Sequence, residues 1–178
     1  MREYRAAIAI KPDYSMAHNN LGALYLQWGS PDEAVGPLRR AIDSQADNVA
    51  AHQNLSIVYR VRHEWADAID QLTTILRLEP GDTRSSAELA MILAACPDAA
   101  QRDPTRAIAL AERAVTATHG RDAVALDAAG VAYAALGQFD RALAAARAAL
   151  RLVSDEPLAA AIRARETLYL QQRPYLLP

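Results

Sequence analysis

A single cysteine, Cys96, excludes an intramolecular disulfide framework and any zinc site built on several thiolates. Long apolar runs are missing as well. No stretch approaches the roughly 18 to 20 uninterrupted apolar residues that a membrane span requires, and Met1-Arg2-Glu3-Tyr4 does not open a secretory signal. The segment therefore reads as soluble, and its one thiol suits a reducing compartment such as the cytoplasm. There is no charge excess: the formal net charge is -2, and the 19 Lys and Arg residues are nearly all Arg, spread rather than massed. That excludes the clustered basic surface which nucleic acid or an anionic membrane demands. A Gly-rich phosphate loop, G-x-S-x-G, H-E-x-x-H and a paired-carboxylate signature are all absent, so the expectation is a non-catalytic chain with no cofactor and no metal. Aromatics make up only 6% of the residues, yet 52% are hydrophobic and alanine is abundant, a composition that suits closely packed helices.

What is present is repetition. Ala17-His18-Asn19-Asn20-Leu21-Gly22-Ala23-Leu24-Tyr25 is written again as Ala51-His52-Gln53-Asn54-Leu55-Ser56-Ile57-Val58-Tyr59, every position moved by the one offset that carries Leu21 to Leu55. A constant offset of about 34 residues signals stacked helix pairs. Residues 1–12 carry Tyr4, Ala7 and Ile8 on one side of a helix stopped by Pro12, which lies two such offsets before Pro80. This predicts the second helix of a truncated repeat whose first helix would lie upstream.

Repeat 1 spans residues 13–46, with Asp13 or Ser15 available to cap a helix running to about Trp28 and Gly29-Ser30-Pro31-Asp32 as the turn. Its second helix carries Ala34, Leu38 and Ala41. Repeat 2, residues 47–80, places Ala68, Leu72 and Ile75 at the matching positions, with Arg62-His63-Glu64-Trp65 as a turn that lacks the glycine. Repeat 3, residues 81–120, puts Leu89 and Leu93 in register, but its second helix, marked by Ala107, Leu110, Ala111 and Ala114, arrives five residues late. The insertion, residues 96–104, has two prolines and Asp98 and Asp103, which suits an ordered loop. Repeat 4, residues 121–154, recovers the spacing through Gly130, Tyr133, Gly137 and Ala142. Residues 155–178 supply a capping helix and a tail. That helix is expected to bury Leu158, Ala161, Ile162, Leu168 and Tyr169 and to turn Arg163, Arg165, Glu166, Gln171 and Gln172 elsewhere.

The pattern His18-x2-Leu21-Gly22-x2-Tyr25 with Ala34 and Leu38, and His52-x2-Leu55-Ser56-x2-Tyr59 with Ala68, Leu72 and Pro80, resembles the tetratricopeptide repeat. His stands where Trp is usual, and Ala129 takes the place of Leu21. The resemblance covers nearly the whole chain. It implies an all-α, right-handed α-solenoid of antiparallel helix pairs, closed by the capping helix, that holds a protein or peptide partner in a concave groove. The repeats are also similar to those of O-linked N-acetylglucosamine transferases and bacterial repeat proteins, in which an Asn directly before the Leu hydrogen-bonds the backbone of an extended peptide. Asn20 and Asn54 match that position, while Glu88 and Ala128 break the ladder in repeats 3 and 4. Because first helices line the inner surface in this family, Gln27, Arg60, Arg84, Glu88 and Asp127 join Asn20 and Asn54 as candidate groove residues.

Each candidate has a plainer alternative. The two Asn can be surface residues. His18 and His52 lie on separate helices about 10 Å apart, too far to share one metal, and read as spacers in place of Trp. His63 and His119 read as solvated turn residues. Cys96 has no base in reach and reads as a small buried hydrophobe, and Asp98, Arg102, Asp103 and Arg106 as a set that ties the insertion to itself. Two further functional readings stand beside peptide binding: a homo-oligomer assembled through the N-terminal helix, and the regulatory arm of a larger enzyme such as a glycosyltransferase.

Overall fold

The computed structural model describes all residues from 1 to 178. The chain is all-helical, with α1 (Arg2–Ile10), α2 (Ser15–Gln27), α3 (Pro31–Ser44), α4 (Val49–Val61), α5 (Trp65–Leu78), α6 (Thr83–Ala95), α7 (Pro104–Ala117), α8 (Ala123–Ala135), α9 (Phe139–Leu150) and α10 (Glu156–Leu170). One 3-10 turn, Ala99–Gln101, lies in the insertion. No helix is long and apolar enough to cross a membrane. The backbone divides into two compact units, Met1–Pro80 and Gly81–Pro178.

In the first unit α2 pairs with α3 and α4 with α5. Helix α3 also packs on α4, α1 on α2, and the two first helices, α2 and α4, touch. The second unit repeats this: α6 pairs with α7 and α8 with α9, α7 lies on α8, α6 on α8, and α10 covers α9 and reaches α8. The stripes expected of the second helices are what they bury: Ala34, Leu38 and Ala41; Ala68, Leu72 and Ile75; Ala107, Leu110, Ala111 and Ala114; and Ala142, Ala146 and Ala149. Leu21, Leu55 and Leu89 of the first helices are buried with them. Close approach within a pair depends on the small residue after that leucine. A Cβ added at Gly22 would lie 2.4 Å from Leu38 Cγ, and one at Gly130 would lie 3.3 Å from the Ala142 carbonyl oxygen.

The first helices α2, α4 and α8 end in a Schellman turn, where a residue in the left-handed region lets its own N–H and the next one reach back to otherwise unpaired helix carbonyls. Gly29 (φ 70°) and Gly137 (φ 72°) serve in repeats 1 and 4, but His63 (φ 56°) holds the same place in repeat 2. A side chain there costs about 1–2 kcal/mol, offset in part by an edge contact between the His63 and Trp65 rings, 5.5 Å apart. His63→Gly is therefore expected to stabilise the chain by about 0.5–1 kcal/mol net, read as a raised urea midpoint at unchanged slope.

The insertion is local because one bond survives it. The N–H of the residue capping each second helix donates to the carbonyl five residues back: Ser30 to Tyr25 (3.0 Å), Glu64 to Tyr59 (2.8 Å) and Gln138 to Tyr133 (2.9 Å). In repeat 3 the capping residue is Asp103, and its N–H still reaches Leu93, the equivalent of those tyrosines, at 2.9 Å. The added residues are looped out between the two. Asp98 accepts from the Ala100 N–H within the loop, and Asp103 caps α7 by accepting from the Arg106 N–H. Cys96 is fully buried, and burial raises its thiol pKa, which suits packing rather than nucleophilic use.

Asp82 caps α6 as its sequence suggests, accepting from the Arg84 and Ser85 N–H groups. The start of α2 differs from expectation. Neither Asp13 nor Ser15 caps it; the capping residue is Tyr14, without a side-chain bond. The Ser15 hydroxyl instead donates to the Ala41 carbonyl at 2.8 Å and accepts from Asn48 Nδ2 at 2.7 Å, tying one repeat to the next.

Candidate functional site

Helices α2 and α4 each carry two adjacent amides before the repeated leucine, Asn19-Asn20 and Gln53-Asn54. Asn19 of α2 is buried, and its Oδ1 accepts from Asn54 Nδ2 of α4 at 2.9 Å. Asn54 therefore faces backward and Asn19 forward. In repeat 4 the place of Asn19 is held by Asp127, and the forward partner is Arg165 of α10, whose Nε and Nη2 lie 2.9 and 2.5 Å from the two carboxylate oxygens. The bidentate pair is buried on both sides. Burial raises the Asp127 pKa against the opposing pull of the Arg165 guanidinium.

Two expectations are corrected here. Asp127, expected in the groove, is 3% exposed, and both its oxygens are taken by Arg165. Arg165, expected on an outer face of the capping helix, belongs to its buried stripe, Ala159, Ile162, Arg165 and Tyr169, while Leu158, Ala161 and Leu168 are only half-buried. The α10 stripe is polar at that point because Asp127 is there to meet it.

Asn20 is the equivalent of Asn54 and so faces backward from α2, where no first helix precedes it among the described residues. It lines an open recess of about 210 Å³ with Tyr4 of α1 and Ala23, Leu24 and Gln27 of α2. Asn20, Ala23, Leu24 and Gln27 are spaced three, one and three residues apart and so share one helical face. Asn20 Oδ1 accepts a long bond from Asn19 Nδ2, 3.4 Å. The apolar stripe of α1, Tyr4, Ala7 and Ile8, is only half-buried, and Ile10 is 87% exposed. Structure thus brings Asn20 and Gln27 together and sets Asn54 one helix away, bonded to Asn19. Arg60 is half-buried near the end of α4. Arg84 and Glu88 form an i,i+4 ion pair on α6, Nε to Oε1 3.1 Å.

His18 and His52 are buried spacers whose Nε2 atoms lie 2.8 and 3.1 Å from the carbonyls of Pro12 and Ala46, each six residues earlier. A carbonyl only accepts, so Nε2 donates in both. His52 Nδ1 also meets the Gln71 side-chain amide at 2.7 Å. His18 borders a larger, polar concavity with Pro12, Asp13, Arg40, Asp43 and Ser44, but its donor is already committed to Pro12. No group of three or more His, Cys, Asp or Glu residues is placed to hold a metal ion.

One recurring clasp was not anticipated. Arg5 of α1 donates to the Tyr25 hydroxyl at 3.1 Å, and Arg39 of α3 to the Tyr59 hydroxyl at 3.1 and 3.4 Å. The two arginines stand one repeat offset apart, as Leu21 and Leu55 do, and that offset was the available signal. In repeat 4, Arg141 and Glu112 both bond the Tyr133 hydroxyl instead, at 2.9 and 2.8 Å.

Two family models, each described as tetratricopeptide repeat, match residues 3–36 and 98–157, together more than half of the chain. The first match begins in α1 and runs through α2 into α3. No curated protein matches the sequence significantly. Among solved structures, a crystal structure of MamA is similar at a TM-score of 0.71 and 21% identity, covering 84% of both chains. MamA from Desulfovibrio magneticus RS-1 is similar at 0.69 and 19%, covering 90% of this chain and 91% of that one. PilW, described as a widely conserved type IV pilus biogenesis factor, is similar at 0.70 and 18%, covering 89% of this chain and 75% of its own. At such identities these likenesses carry the fold. The chain is an all-α repeat protein of the α-solenoid class, and its family is that of the tetratricopeptide repeat proteins.

Proposed function

We propose that this chain is a non-catalytic protein-interaction scaffold and that a partner's polypeptide segment seats along the free face of α2, with Asn20 and Gln27 as its amide contacts. The observation that carries the reading is the open recess of Tyr4, Asn20, Ala23, Leu24 and Gln27. Its equivalent face on α4 is the one that meets a preceding first helix, through Asn54 and Asn19. A partner segment in that place covers apolar Ala23, Leu24 and the Tyr4 ring. It also meets amides that both donate and accept. An extended peptide that used both Asn20 and Asn54 would have to open the Asn54–Asn19 bond, so the contact is proposed to centre on Asn20. Arg60, in the same unit, remains a proposal as a flanking contact, and the Arg84 and Glu88 pair of α6 remains a proposal by itself.

The paired substitution Asn20→Ala with Ala23→Arg tests this. It is expected to weaken binding of a captured partner at least tenfold by calorimetry while far-UV circular dichroism stays unchanged, because both side chains are at most half-buried. An unchanged dissociation constant rejects the recess. A second reading, self-assembly through α1, is favoured by exposed Ile10, Tyr14 and Met16 at the end of α1 and the start of α2. A concentration-dependent dimer in light scattering that the paired substitution abolishes would replace the partner with a second copy.

A further inference from the structure

The segment after α10 does not run off into solvent. Helix α10 ends in a Schellman turn with Gln172 in the left-handed region (φ 54°), the Gln172 N–H on the Tyr169 carbonyl at 3.0 Å and the Arg173 N–H on the Leu168 carbonyl at 2.9 Å. This folds the chain back over its own unit. Residues 173–178 belong to no helix, and exposure alternates along them: Tyr175 and Leu177 are half-buried, while Pro174, Leu176 and Pro178 are exposed. That is the period-two pattern of a strand-like peptide lying on a surface. Tyr175 packs against the buried cluster that includes Leu126, Ile162 and Tyr169, and the Arg165 guanidinium stands 5.2 Å from the centre of its ring. The Leu177 N–H donates to the Ala95 carbonyl at the end of α6, 2.7 Å.

That carbonyl is open for a reason rooted in the repeat. Ala95 is the last residue of α6, where helix carbonyls lack partners within the helix. At the start of the insertion Pro97 holds Cys96, the residue that ends α6, at φ -56° and ψ 133° rather than in the left-handed turn that closes α2, α4 and α8. Thus α6 ends without the local closure of its siblings, and a distant N–H meets its last carbonyl.

We infer that the surface formed by the buried face of α10, α8 and the C-terminal end of α6 is a peptide-binding seat and that residues 173–178 are its built-in occupant. The seat takes an extended segment with an aromatic side chain for Arg165 and, two residues later, a backbone N–H for Ala95. A partner segment of that chemistry, Tyr-x-Leu or its like, binds by displacing the tail. This site lies in the second unit and is separate from the recess on α2, so its test leaves that reading untouched. Tethering gives the tail a millimolar effective concentration, and an incoming peptide of equal intrinsic affinity competes poorly until the tail is released.

The probe is a fluorescent synthetic peptide, Arg-Pro-Tyr-Leu-Leu-Pro, added to the full chain and to the full-length variant Tyr175→Ala with Leu177→Pro, which removes both the ring and the donor. Fluorescence anisotropy is expected to show saturable binding to the variant at least tenfold tighter than to the wild type, and none for the peptide with alanine in place of tyrosine. Equal binding to both proteins, or no binding to a variant that keeps its helical circular dichroism, overturns the proposal. Should the variant fail to fold, hydrogen exchange on the wild type decides it. Protection of the Leu177 amide, lost on adding excess peptide, supports the seat; exchange at the rate of an unstructured chain overturns it. A wild-type dimer in light scattering that Leu177→Pro dissolves would put the tail in a second copy's seat and overturn closure within one chain.

Discussion

Asp127→Ala is expected to lower the stability of the chain by about 3–5 kcal/mol, the cost of leaving a buried charge without its partner. The Arg165 guanidinium is buried in α10 and donates hydrogen bonds from Nε and Nη2 to the two Asp127 oxygens. With the carboxylate gone, the cation stays in a dry setting beside Leu126, Ile162 and Tyr169, and either pulls α10 away to reach water or remains unpaired. Replacing both partners with apolar residues, Asp127→Leu with Arg165→Met, removes the desolvation cost along with the attraction. That double variant is expected to regain most of the loss. Urea unfolding of the two variants checks this. A loss below about 0.5 kcal/mol for Asp127→Ala, the usual scale for an exposed surface position, would return Asp127 to the solvent.

Gly22→Val is expected to cost about 3 kcal/mol, near the upper end of the usual range for overpacking. A Cβ at Gly22 falls 2.4 Å from Leu38 Cγ and 2.6 Å from Leu38 Cδ2, and Leu38 is itself completely buried, so the leucine has nowhere to withdraw. The helix gains from replacing glycine, which by propensity alone is worth under about 1 kcal/mol, do not offset this. Leu38→Ala by itself opens a cavity and costs about 2–5 kcal/mol. Combined with Gly22→Val it is expected to be less harmful than the sum, because the new methyl groups enter the space that Leu38 vacates. Strictly additive losses in a double-mutant cycle would show that the two residues do not meet.

The packing of the chain was legible because repetition exposes it. Leu21 with Leu55, Gly22 with Ser56, and Leu38 with Leu72 recur at the repeat offset since each must fit the same gap in successive pairs. The insertion was legible in size for the same reason: a delay in the α7 stripe has no other source. The polar sites were harder to read. Asn20 and Asn54 share one letter and one phase, yet Asn54 bonds a preceding helix and Asn20 opens on a recess. Asp127 looked like an exposed acid on an inner face, because its partner lies 38 residues away on a helix outside the repeat rhythm. The Arg5 and Arg39 clasps were written at the repeat offset but had no apolar stripe to draw notice.

By itself, then, the sequence determined the helix pairs, their order and the small-to-large fit inside each pair, since those follow from local periodicity and from volumes that repeat. The tertiary structure alone decided which polar groups are buried together and which stay open. It closed Asp127 with Arg165, set Asn20 beside Tyr4 and Gln27 in an open recess, and laid Tyr175 and Leu177 back across α8 and α6. Such pairings depend on which chain segment reaches a given surface after folding, and a polar side chain carries no mark of its partner until that segment arrives.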